Sequence, residues 1–162
     1  MAVAMLAWIV AIPILGGMTG VRSMTPMAVL CWFAYVGHLD VGDSWALWTT
    51  KLVTAIVFTV LAVGEFVGDK LPMTPNRTAP FPLIARIAFG SLVGAIAATG
   101  LHGSALEGAL LGGLSAVAGA YLSFQLRQWL VKEKGYSDLP VALFEDGLAI
   151  GLSVLAMGVV TG

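Results

Sequence analysis

The chain has 162 residues, 59% hydrophobic and 10% charged, with a formal net charge of −1. Its mean hydropathy is +0.94. A water-soluble domain carries about 25% charged residues. These charges are too few to cover a water-facing surface, so the composition points to one all-α polytopic membrane domain, residues 1–162. The partner implied is the lipid bilayer, and nothing suggests a nucleic acid.

A membrane helix needs about 20 apolar residues. The first segment runs from Ala2 to Leu15 and on through the glycines that follow. It lacks the basic start and small-residue cleavage site of a signal peptide, so it reads as a retained span. "GGMTGVRSMTP" (Gly16 to Pro26) then interrupts the apolar run with glycines, hydroxyls, a proline and Arg22. The second segment, Pro26 to Val36, rises no more than about 20 Å and falls short of the roughly 30 Å core. It reads as a re-entrant half-helix or as part of one broken span. Four further segments follow: Trp45 to Asp69, Pro82 to Thr99, Ala105 to Leu130 and Leu139 to Val160.

The loops set an orientation. Gly37 to Ser44 and Gly100 to Gly108 carry no Lys or Arg. Asp69 to Arg86 carries Lys70, Arg77 and Arg86, and Arg127 to Asp138 carries Arg127, Lys132 and Lys134. The positive-inside rule places the basic loops and the Arg22 turn in the cytoplasm, as expected for a multi-pass membrane protein. Six segments then form two sets of three that start from opposite sides, the arithmetic of a 3+3 inverted repeat with halves 1–70 and 78–162. Rows of small residues, Gly90, Gly94 and Ala98 in one segment and Gly108, Gly112, Ala116 and Ala120 in the next, mark close helix packing. Packing within the chain is the first reading of these rows; a homodimer through them is the second. Cys31, alone in an apolar run, reads as a buried structural thiol.

Charges inside membrane spans cost about 2.5–3.5 kcal/mol each on insertion scales and usually mark function. The derived topology gathers four acids (Glu65, Asp69, Glu145, Asp146) and four bases (Arg22, Lys70, Arg77, Arg86) at one membrane level. Two helix starts, Ser23-Met24-Thr25-Pro26 and Thr78-Ala79-Pro80, have hydroxyl residues in position to cap and prolines suited to the first turn. Each follows an arginine, so Arg22 and Arg77 with Thr25 and Arg86 are candidates to grip an anion at a helix N-terminus. The four carboxylates are candidates for a coupling proton, a cation or a metal. The leading reading is a small-solute or ion transporter or channel. The alternative is a structural or lipid-interacting membrane protein whose charges form a helix-locking ion-pair network. A metal-dependent lipid-phosphate enzyme is a further alternative; the sequence has no Ser-His-Asp set, H-E-x-x-H or P-loop. No cofactor is implied.

"GVRSMTPMAVLCW", "GEFVGDKLPMTPNRTAPFPLIARIAFGSLVGA" and "DLPVALFEDGLAIG" resemble the three signature blocks of a bacterial membrane-protein family catalogued as domain of unknown function 4126. The resemblance runs nearly end to end. It implies signature positions at Arg22, Pro26, Glu65, Asp69, Lys70, Pro72, Pro75, Arg77, Thr78, Arg86, Glu145 and Asp146. The family pattern has alanine where this chain has Ser23, so the resemblance lends Ser23 no role. It implies the fold and the choice of residues, and no chemistry.

Overall fold

Within the described residues each apolar segment is mainly helical, and none forms a strand. The structure, a computed structural model, describes residues 7–70 and 77–162. Helix α1 (Ile12–Val21) continues a π-helical turn, Ala7–Ala11, and is followed by α2 (Thr25–Tyr35) and α3 (Leu52–Gly68). Then come α4 (Pro80–Gly100), α5 (Ala105–Gln128) with a π-helical turn at Trp129–Glu133, and α6 (Asp138–Thr161). Helices α4, α5 with its π turn, and α6 are long and apolar enough to cross a membrane; the chain is a membrane protein.

The first expected segment begins outside the described residues, as do Pro72 and Pro75. Its described part stays helical through Gly16 and Gly17 and breaks only at Arg22, whose backbone is extended. The third segment is shorter than its hydropathy suggests, because residues Leu47–Thr50 form a 3-10 turn and Lys51 is extended before α3 begins. The halves also differ in build: α1 and α2 have 10 and 11 residues, α4 and α5 have 21 and 24.

Helix α5 is the axis of the packing. A Cβ at Gly94 would strike the Gly108 carbonyl of α5, and one at Gly112 would strike the Gly90 carbonyl of α4. Along the same row α5 meets α1 equally closely: a Cβ at Gly20 would strike Ala116, and one at Gly119 would strike the Gly17 carbonyl. Only glycine, or glycine facing alanine, allows two backbones this near. The small-residue rows are therefore filled within the chain. Helix α6 lies against α1 and α2, and Met157 and Val160 share the core with Ala7, Ile12, Leu30, the buried thiol of Cys31 and Ile96. Helix α3 lies mainly against α2; of its residues only Ala55 and Ala62 are buried.

Contacts fix which ends coincide. A Cβ at Gly103 would meet the Trp8 ring, and one at Gly100 would meet Leu39. The start of α1, the end of α2 and the α4–α5 turn therefore share one end. Both α1 and α2 leave that end and meet at Arg22. The stretch 7–21 rises about 22 Å, as does α4 from Gly100 back to Arg86. The break between α1 and α2 thus lies inside the bundle, beside Arg86.

Candidate functional site

A helix that stops inside a bundle leaves amides and carbonyls to be satisfied. The sequence suggests Ser23 or Thr25 as the cap of α2, and the structure uses neither side chain. Met24 is the N-cap residue, and no side-chain cap bond is present at that end from the local hydroxyls. Glu65, reaching from α3, takes the place: its Oε1 accepts from the Ser23 amide at 2.8 Å and its Oε2 from the Met24 amide at 3.0 Å. At the facing end of α1, Nη1 of Arg86 donates to the carbonyls of Gly20 and Val21, both at 2.9 Å. Arg86 Nη2 lies 3.6 Å from Glu65 Oε1. A carboxylate covers a helix N-terminus and a guanidinium covers a helix C-terminus, each matched in sign to the helix dipole. The polarity of a broken helix requires this pairing. The local hydroxyls lose to it because a charge-assisted bond is stronger than a neutral one.

The second part of the site surrounds Arg22, whose side chain has no exposed surface. Its Nε donates to Asp146 Oδ1 at 2.6 Å, and its Nη1 stands 2.7 Å from Asp69 Oδ2. The Asp69 contact is a close ion pair without hydrogen-bond alignment, since Nη1 has no hydrogen-bond partner. The Phe66 ring lies 5.9 Å from the guanidinium carbon. Arg77 approaches from the other side, donating to both oxygens of Glu145 at 3.1 and 2.9 Å and to Ser123 Oγ at 2.9 Å. Lys70 Nζ donates to Asp146 Oδ2 at 3.0 Å and to the Phe66 carbonyl at 2.9 Å.

Arg127, which the sequence pattern counts among the loop charges, completes this network. It sits in the last turn of α5. It donates to both oxygens of Asp138, to Asp69 Oδ2 at 2.8 Å and to Glu145 Oε2 at 3.4 Å. A signal was available: Ala116, Ala120, Ser123 and Arg127 follow one helical face. Asp69 Oδ2 and Glu145 Oε2 are each within 4.0 Å of Arg22, Arg77 and Arg127. Two carboxylates are thus shared by three guanidiniums from three parts of the chain. Adding Lys70, Arg86, Glu65, Asp138 and Asp146 gives five bases against five acids and local neutrality.

The structure therefore brings Arg22, Glu65, Asp69, Lys70, Arg77, Arg86, Glu145 and Asp146 into one region but divides their work. Glu65 and Arg86 serve the helix break; the others form the network beside it. Thr25 is buried on the first turn of α2, and its hydroxyl has no partner. Arg77 does not aim at the start of α4, where Ala79 is the N-cap residue and no side-chain cap bond forms. Arg22 faces carboxylates and not the α2 terminus. Among the described residues, no group of three or more His, Cys, Asp or Glu side chains gathers as a metal set; the carboxylates face guanidiniums and amides. An open groove of about 530 Å³ borders the break, lined by Ser23, Met24, Val60, Leu61, Gly64 and Glu65.

A family model described as Domain of unknown function (DUF4126) matches residues 7–159. No curated protein and no solved structure matches the chain. The match takes in the helix break, the network and all six helices, and so the chain belongs to the DUF4126 family.

Proposed function

We propose that the protein is a multi-pass transporter or channel for a small solute or ion in the bacterial inner membrane. The break between α1 and α2 is its solute site, and the Arg22–Asp69–Glu145 network is its coupling element. One observation carries this reading: a helix broken inside the bundle has both open ends covered by side chains from other helices, Glu65 and Arg86. Interrupted helices whose ends point at a solute are how transporters build sites at membrane depth. In this reading the six helices are six membrane segments, with α1 and α2 as a re-entrant pair. The basic end of the bundle faces the cytoplasm. The unequal halves weigh against a close inverted repeat. Shared carboxylates suit a coupling role, because Asp69 or Glu145 can exchange one guanidinium for another without becoming unpaired.

The test is uptake of radiolabelled sodium, chloride, acetate or phosphate into proteoliposomes under a potassium diffusion potential, with an entrapped pH-sensitive dye to report a coupled proton. Flux above that of protein-free vesicles is expected. Glu65→Gln, Asp69→Asn and Arg86→Gln are expected to lower it at least tenfold while the proteins still purify as folded species. A second reading has one observation in its favour. Arg22, Arg77 and Glu145 are buried, and each faces an opposite charge, as in a network that only locks helices together. Variants that unfold in proportion to their loss of flux, or an absence of flux with every salt, would favour the lock.

A further inference from the structure

The Glu65 carboxylate occupies a receptor that any carboxylate could use. Two amides, Ser23 and Met24, hold its two oxygens at 2.8 and 3.0 Å. They belong to the start of an 11-residue helix, whose dipole favours an anion there. Arg86, 6% exposed, aims its guanidinium at the same carboxylate. Its Nε has no partner, and neither has the hydroxyl of Thr25, which is 3% exposed on the first turn of α2. Polar atoms buried without partners are costly, so the surroundings of this seat hold more hydrogen-bonding capacity than Glu65 uses.

The groove beside the seat supplies the other half of a binding site. Its volume of about 530 Å³ lies within the range of small-molecule sites. Apart from the Ser23 and Glu65 end, its walls are Met24, Val60, Leu61 and the bare face of Gly64, where a Cβ would meet nothing within 4 Å. Val60 and Leu61 are exposed, on a helix held mainly by α2, so the groove opens sideways from the bundle. A polar seat for one negative charge stands at the end of an apolar trough that faces the bilayer.

The geometry points to a binding site for a single-chain amphiphilic carboxylate that enters from the bilayer: its chain lies along Val60, Leu61 and Gly64, and its carboxylate displaces Glu65 from the Ser23 and Met24 amides. Glu65 is then a built-in competitor that holds the seat when no ligand is present. A soluble small anion would gain nothing from the apolar wall, and a neutral alcohol would lack the charge that strengthens bonds from Arg86 and the amides. The inference rests on the reading of the helix break as the solute site, but it requires no turnover.

The probe is laurate, titrated onto the full-length protein in nanodiscs, with dodecanol as the matched uncharged chain. Binding is read from the rise in Tm with concentration. Laurate is expected to raise Tm and dodecanol to leave it unchanged. The laurate concentration giving half the effect is expected to fall at least tenfold in Glu65→Ala, which empties the seat. It is expected to rise at least tenfold in Gly64→Leu, which fills the trough without touching the polar groups. Equal responses to laurate and dodecanol, or an unchanged laurate response in Gly64→Leu, overturn the proposal. The second variant decides the question even if Glu65→Ala fails to fold. Loss of flux with an intact laurate response would count against transport alone, and flux without a laurate response against this inference alone.

Discussion

Arg22 shows how the network weighs individual residues. Its guanidinium stands between Asp69 and Asp146, with none of its side chain exposed. Removing one partner of a buried pair costs about 3–5 kcal/mol, because it strands the charges that remain. Arg22→Met keeps an unbranched apolar stem and removes the guanidinium, leaving Asp146 to Lys70 and Asp69 to Arg77 and Arg127. It is expected to lower the unfolding free energy by about 3 kcal/mol or more, measured by equilibrium denaturation in mixed micelles. Lys70 has 28% of its side chain exposed and faces one carboxylate of the same cluster. Lys70→Met is expected to cost less than about 1 kcal/mol, the scale of a solvated pair. Equal losses in the two variants would mean that burial does not set the strength of this network.

The helices set a different scale of sensitivity. Gly112 lies where α4 and α5 run backbone to backbone, and a Cβ there would strike the Gly90 carbonyl. Gly112→Ala forces the helices apart and is expected to cost about 1–3 kcal/mol. Gly151 in α6 has nothing within 4 Å of an added Cβ, so Gly151→Ala is expected to stay within about 0.5 kcal/mol of the parent. Thermal unfolding of both in the same detergent checks the contrast. Rows like that of Gly108, Gly112, Ala116 and Ala120 were legible in the sequence, because close packing leaves a spacing of four. Arg86 was legible for the same reason, lying four residues before Gly90. The partner of Glu65 was not legible, since its acceptors' donors are amides, and backbone groups carry no sequence signature. Arg127 lies inside the segment expected from Ala105 to Leu130 but also counts among the basic residues of the following loop, and no spacing in the sequence shows that it turns toward Asp69, Glu145 and Asp138. The side-chain cap expected of Ser23 or Thr25 failed because local propensity could not show that a charged residue from another helix would take the position.

At the scale of the molecule, the two ends of the bundle differ in chemistry. Trp8, Leu39 and Gly100 mark one end, with the loop that carries no Lys or Arg. The other end carries Arg127 and Asp138, and just beyond them Lys134 lies over the Trp129 ring at 5.0 Å. An aromatic ring beside a lysine suits the head-group region of a bilayer. From Asp138 to Glu145, α6 rises about 10 Å, and from Glu145 to its end about 24 Å. If α6 crosses the membrane, the network lies roughly a third of the way in from the basic end, deep enough to be costly and shallow enough to exchange with the water at that end. This arrangement has a direct test. In a Cys31→Ala background, single cysteines at His38 and Tyr136, both exposed, are treated with an impermeant maleimide in spheroplasts and in inverted vesicles. His38→Cys is expected to react only in spheroplasts and Tyr136→Cys only in inverted vesicles. Ser23→Cys, buried at the tip of the α1–α2 pair, is expected to react slowly in both. Fast labelling of Ser23→Cys in inverted vesicles would put the helix break outside the membrane. It would remove the reason for reading Glu65 and Arg86 as an intramembrane site.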